Sequence, residues 1–174
     1  LSLLPDSLRR TADMAADFVL DHPEVFRDFF DASLAQEYPL ALRASRVVHL
    51  CALDAPELIR PYLGEVIEVL PSLRDASVIR NFLDLLDQFT EELSEEQTGL
   101  LLSFCFSNAE DPSKAIAIRV LSLRLLYLIS RRIPDLKPEL VAIIRFNLPE
   151  SSPAFRAQAR QILKQLEKEI IRGG

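Results

Sequence analysis

Hydrophobic and polar positions alternate with a helical period along almost the whole chain. Between residues 79 and 89, Ile79, Phe82, Leu83, Leu86 and Phe89 share one face, while Arg80, Asp84 and Asp87 share the other. This spacing predicts an amphipathic helix with one dry side. From Ala115 to Ile129 the chain is apolar almost all round, which predicts a helix packed on two sides. Glycine is scarce at 4 residues and no β-branched run alternates, so local propensity favours helix, and the 11 prolines act as punctuation. Ser94 with Gln97 predicts a capping box. Asp111-Pro112 and Ser152-Pro153 each place a capping oxygen just before a proline suited to the first helical position.

The helices recur at a fixed period. An apolar-Arg step opens four amphipathic segments, LRASRVVHL at Arg43, IRNFLDLL at Arg80, IRVLSLRLL at Arg119 and FRAQARQIL at Arg156, at spacings of 37, 39 and 37 residues. A second marker precedes them: HPEVF at Pro23, APELIRPYL at Pro56 and IPDLKPELV at Pro134, with SEEQTGLLL in the equivalent slot near Ser94. Pro56, Pro61 and Pro71 reappear as Pro134, Pro138 and Pro149, 78, 77 and 78 residues on, which is twice the unit length.

The segment APELIRPYLGEVIEVLPSLRDASVIRNFLDLL resembles a HEAT repeat, with a proline early in its first helix, an acidic turn residue (Asp75) and an apolar-Arg step opening its second helix. Weaker copies extend the resemblance over roughly residues 22–171. The expected fold is all-α, an α-α superhelix of about four HEAT-like, armadillo-type two-helix repeats. One domain is expected over 1–174, with a capping segment at 1–21 and repeats at about 22–54, 55–93, 94–132 and 133–171. The first repeat departs from the pattern, because only a short first helix fits before Glu37-Tyr38-Pro39.

Charge changes this picture more than composition does. The net charge is −6, yet residues 1–110 hold 20 acids and 8 bases while residues 111–174 hold 6 acids and 12 bases. Such lopsidedness suits association between copies of the chain. Cys51 and Cys105 lie in apolar helical stretches, where a thiol behaves as a small hydrophobe. The opening LSLLPDSLRR has neither a basic n-region nor a long apolar h-region, and the lack of an initiator Met suggests a trimmed start. The longest apolar stretch carries Arg119 and Arg124 and is too short to span a bilayer. A soluble, cytoplasmic protein without membrane insertion is expected.

Chemistry is thin. His22 and His49 stand apart from each other and from the cysteines, so no zinc spacing can be drawn, and the four glycines form no phosphate loop. The Gly-Ser-Ser loop of fumarase-type helical lyases is also missing. No catalytic residue, metal site or cofactor is expected. A helical enzyme would need buried carboxylates such as Asp84 with Asp87, for which solvated helix faces are the simpler account.

Two sets of cations stand out. The resemblance to HEAT repeats implies that Arg43, Arg80, Arg119 and Arg156 pair with the turn acids Glu37, Asp75, Asp111 and Glu150 in a stacking ladder. Alternatively, together with Arg46, Arg124 and Arg160, they line a concave face and meet an acidic ligand. In the last helix Arg156, Arg160, Lys164, Lys168 and Arg172 recur every four residues, a slowly winding basic stripe. Glu167 and Glu169 partly balance it. These features suggest a non-catalytic protein-interaction module whose partner is acidic. Similarity to HEAT-like DNA glycosylases offers nucleic-acid binding through the basic last third as an alternative. The net charge of −6, the absence of Trp and only 3 Tyr weigh against it.

Overall fold

The computed structural model describes residues 3–149 and 152–173, with side chains as far as Ile171. Among these residues the chain is all-α and has no strand. Helix α1 (Arg9–Asp21) precedes four helix pairs: α2 (Phe26–Leu34) with α3 (Leu40–Asp54), α4 (Leu63–Val69) with α5 (Ala76–Leu86), α6 (Glu95–Glu110) with α7 (Ile116–Arg132), and α8 (Lys137–Asn147) with α9 (Pro153–Gly173). Two compact units divide the chain, one reaching Leu85 and one starting at Leu86.

The repeat is written into the backbone at its prolines. His22, Ala55 and Ile133 each end a helix with nearly the same dihedrals, φ −132° and ψ 69°, −137° and 72°, and −121° and 84°. Each N–H still reaches the carbonyl four residues back, Phe18, Cys51 and Ile129 respectively. A following proline crowds the α conformation of the residue before it, and all three lie outside that conformation. A 3₁₀ turn then opens at Pro23–Val25, Pro56–Leu58 and Pro134–Leu136, where the missing proline N–H costs nothing.

In the first unit α1 buries Ala12, Ala15, Ala16 and Val19 at helical spacing, and it packs on α3. Side chains this small let two helices approach closely. The second helix is short, and its phenylalanines carry its packing: Phe26, Phe29 and Phe30 are buried. The Tyr62 ring stacks on Phe30 with centroids 5.0 Å apart. Arg27 lies over both rings and bridges Asp31 at 2.7 Å and Glu65 at 3.2 Å. A polar pair joins α3 to α5 inside the core, where Asn81 Nδ2 donates to Ser45 Oγ at 2.9 Å and Ser45 Oγ donates to the Leu42 carbonyl. Between α2 and α3 the chain turns through Gln36 at φ 57° and a cis Tyr38–Pro39 bond. The amphipathic face expected on α5 is buried at Ile79, Phe82 and Leu83, with Arg80 exposed.

In the second unit the capping box of α6 forms as expected. Ser94 Oγ accepts from Gln97 N, and the Gln97 side chain accepts from Ser94 N. Ser152 Oγ likewise accepts from Phe155 N at the start of α9. The expected helix start at Asp111-Pro112 needs correction. Asp111 Oδ1 accepts from Ser113 N at 2.8 Å and its carbonyl from Lys114 N, closing a tight turn, and α7 begins only at Ile116. An Asx-type turn uses the same oxygen as a helix cap and is equally compatible with a following proline. Helix α7 packs against α6, α8 and α9, as its near-continuous apolar surface implies.

Candidate functional site

Four arginines of the first unit meet around one cavity. Its volume is about 270 Å³, and Arg9, Arg43, Arg46 and Arg80 line it, with Asp6 the acid among its walls. Leu8 precedes α1 and Arg9 and Ala12 lie in its first turn, Leu42, Arg43 and Arg46 lie in the first two turns of α3, and Ser77 and Arg80 in the first two turns of α5. Three helix N-termini therefore converge here, each carrying a partial positive charge. The unit up to Leu85 holds 14 acids and 8 bases, so half of its cations gather at one point of an otherwise acidic body.

The arginines are held unequally. Arg43 Nη1 donates to the Leu4 carbonyl at 2.8 Å and Nε to Ser7 Oγ at 3.1 Å, which fixes its guanidinium and fastens the leading segment to α3. Arg9 lies 3.7 Å from Asp13 along α1 and is otherwise solvated. Arg80 makes one long contact, 3.5 Å to Asn81 Oδ1. Arg46 is half-buried with no hydrogen-bond or ion-pair partner among the described residues. Asp6 faces the first turn of α1. Hydrogen bonds from Thr11 and Leu8 N, with the nearby charge of Arg43, hold its carboxyl below the usual carboxylate range. The acid in the wall is thus engaged by the helix start.

His49 lies one turn beyond Arg46 on α3. Its Nε2 is 2.9 Å from Asp84 Oδ2. Burial pushes the imidazole pKa down, Asp84 pulls it up, and Arg46 and Arg80 push it down further, leaving it below its ordinary value. His22 is exposed, stacks on Phe18 with centroids 4.3 Å apart and places Nδ1 3.0 Å from the Phe18 carbonyl. Asp87, considered above with Asp84 as an acid pair, has Arg124 Nη2 at 2.5 Å from its Oδ2. Both cysteines are free and buried, and burial pushes each thiol up to about 12. Among the described residues no cluster of three or more His, Cys, Asp or Glu could hold a metal, and no helix is long and apolar enough to cross a membrane.

The remaining recurring arginines and turn acids fall in different settings. Arg119 is only 6% exposed. It donates to the Ala109 carbonyl at 3.1 Å and to Asn147 Oδ1 at 3.0 Å, with its guanidinium carbon 4.3 Å from the centre of the Phe155 ring. One side chain thereby ties the end of α6, the end of α8 and the start of α9. Asp75 Oδ1 accepts from Ser77 N and Val78 N and so caps α5. Arg156 is half-exposed on α9, and Glu150 lies outside the described residues.

On α9 the basic stripe is laid bare by the way its acids are used. Arg160, Lys164 and Lys168 are exposed, whereas the side chain of Arg172 lies outside the described residues. Glu167 accepts from Arg145 of α8 at 2.9 Å. Glu169 accepts from Tyr127 of α7 at 2.8 Å and pairs with Lys137 at 3.0 Å. Burial opposes its charge, but the Lys137 and Tyr127 contacts hold its carboxyl below the usual range. Its acids thus bind α9 to its neighbours, and Arg160, Lys164 and Lys168 make no ion pair among the described residues.

Sequence reasoning singled out Arg43, Arg46 and Arg80 but not Arg9, Ser7 or the leading segment that lines the same cavity. A family model described as a HEAT repeat domain matches residues 5–166. The chain belongs to the HEAT repeat domain family. Its match begins at Pro5, so Ser7, one of the two residues to which Arg43 donates, lies within the HEAT repeat region and Leu4 just before it. Comparison of this HEAT repeat chain with curated proteins and with solved structures returns no match.

Proposed function

We propose that this HEAT repeat chain is a non-catalytic protein-interaction module that docks an acidic protein surface on α9. The observation that supports this is the division of labour on that helix, where Glu167 and Glu169 turn to α8 and α7 while Arg160, Lys164 and Lys168 stay in water. Exposed like charges on a rigid helix steer an oppositely charged partner and set its orientation. HEAT repeats offer regular, extended surfaces for such docking.

The test is reversal of the stripe in the full chain, Arg160→Glu, Lys164→Glu and Lys168→Glu together. Helical content by circular dichroism should be unchanged, because the three residues face solvent. Affinity capture from native cells should lose an acidic partner that the unaltered chain recovers. Retention of every partner would reduce the stripe to a solvated face. Retention of duplex DNA on a filter at low salt, abolished by the same reversal, would replace the protein partner with nucleic acid.

A further inference from the structure

We infer that the arginine-lined cavity at the converging starts of α1, α3 and α5 is a binding site for a phosphate monoester dianion. Four independent features of the same spot agree. All four cations around it are arginines, whose planar forks match phosphate oxygens two at a time, whereas lysine offers only a point charge. Three helix starts converge there and add fixed positive potential, with Asp75 capping α5 and Asp6 accepting from Leu8 N at α1. The one acid in the wall, Asp6, is engaged by Thr11 and Leu8 N and so leaves the cations available. Arg46, half-buried and without a protein partner among the described residues, is a donor held ready at the cavity wall.

The preorganisation extends behind the wall. Arg43 is clamped by Leu4 and Ser7. Arg46 and Arg80 follow directly after Ser45 and just before Asn81, the buried pair that locks α3 to α5. The helices that carry Arg46 and Arg80 are thus fixed relative to each other, and a ligand has only the two side chains left to order.

Size and surrounding charge narrow the ligand. A cavity of about 270 Å³ lies just under the range of pockets for drug-sized molecules, roughly 300–1,000 Å³, and accommodates one phosphate with a short stem. The body around it carries 14 acids against 8 bases, which repels a polyanion whose affinity grows with each neutralised phosphate. A single dianionic group, carried by a phosphorylated side chain or a small phosphate ester, meets attraction at the cavity and little repulsion beyond it.

The experiment uses the full chain and two kinds of probe. Inorganic phosphate, and a short neutral peptide bearing one phosphoserine, are titrated while arginine Nε–H resonances are followed by NMR and heats by calorimetry. Saturable shifts at Arg43, Arg46 and Arg80 are expected with both probes. Arg46→Gln and Arg80→Gln should each weaken binding about tenfold, equivalent to about 1.4 kcal/mol, with the thermal midpoint of the chain nearly unchanged. Tighter binding of the phosphopeptide than of inorganic phosphate assigns the source to phosphorylated protein; equal binding assigns it to free phosphate esters. Acetate binding as strongly as phosphate, shifts that do not saturate, or affinity unaffected by both substitutions would overturn the site. Tighter binding of duplex DNA than of the phosphopeptide would do the same. The α9 triple reversal should leave phosphate binding intact, so this inference and the docking role of α9 stand or fall separately.

Discussion

Arg119 illustrates how little a residue's chemistry reveals its task until its surroundings are known. Its recurrence with Arg43, Arg80 and Arg156 allowed either a structural ladder or a ligand-facing row. Burial to 6% exposure removes it from any ligand-facing surface, and its donors go to Ala109 O and Asn147 Oδ1. Replacement by lysine keeps the charge but loses the forked geometry and the flat face over Phe155. Arg119→Lys should therefore cost about 2–4 kcal/mol, since charged hydrogen bonds are worth roughly 1.5–3 kcal/mol and a buried carbonyl loses its donor. Urea unfolding measures this, and a loss below about 0.5 kcal/mol would show that the guanidinium contacts carry no stability. At Gln36 the relevant property is backbone, not side chain. Its φ of 57° lies in the left-handed region, which glycine and, less readily, Asn or Asp adopt. Gln36→Val should destabilise by about 1–2 kcal/mol, and Gln36→Gly should be nearly neutral. Equal losses in both variants would mean that the side chain matters more than the dihedral. Nothing in the local sequence marked this residue, because glutamine carries no turn preference of its own.

At the scale of the element, the legible features were those set by short-range sterics. A proline disfavours the α conformation for the residue before it. Where a helix ends there, at His22, Ala55 and Ile133, the three residues adopt one geometry and the 3₁₀ turns at Pro23, Pro56 and Pro134 follow, whereas Leu70 and Lys137 stay helical before Pro71 and Pro138. The capping box at Ser94 was legible for the same reason, needing only residues three apart. Asp111-Pro112 was misread because a turn and a helix start demand the same two residue types, and the choice falls to the chain after them. The two sites should therefore respond differently to truncation. Ser94→Ala should lower stability by about 1 kcal/mol, and Asp111→Ala should cost clearly less, because its oxygen serves a turn outside α7. Thermal unfolding of both variants decides this, and a larger loss at Asp111 would mean that the turn controls how α7 starts. The arginine cavity lay beyond such reading. Arg9 and Arg80 are 71 residues apart in sequence, and only the packing of α1 and α5 about α3 brings them together.

Across the whole molecule, acid stability ties the cavity to the fold. The pKa of His49 is depressed chiefly by burial, with Arg46 and Arg80 adding to the effect and Asp84 opposing it. A group with a lowered folded pKa binds fewer protons when folded than when unfolded. Its stabilising contribution is thus complete above the unfolded value, about 6.5 for histidine, and is lost as pH falls through the folded value. The carboxyls of Asp6, Asp111 and Glu169, also held below their ordinary range, add a second loss at lower pH. Urea unfolding between pH 7.5 and pH 5, read in steps, should show stability declining on the acid side of about 6.5. His49→Gln should flatten that part of the profile and leave the later carboxylate phase in place. The same proton couples to the cavity. Arg46→Gln should raise the His49 pKa measured by NMR, because one of the charges opposing its protonation is gone. Phosphate bound beside Arg46 and Arg80 should raise it in the same direction by neutralising them. By linkage, protonation of His49 must then strengthen phosphate binding, so affinity should increase modestly as pH drops from 7.5 toward 6.5, after allowance for the phosphate's own protonation. A His49 pKa that ignores both the substitution and the anion would show that the guanidiniums and the imidazole do not share a field.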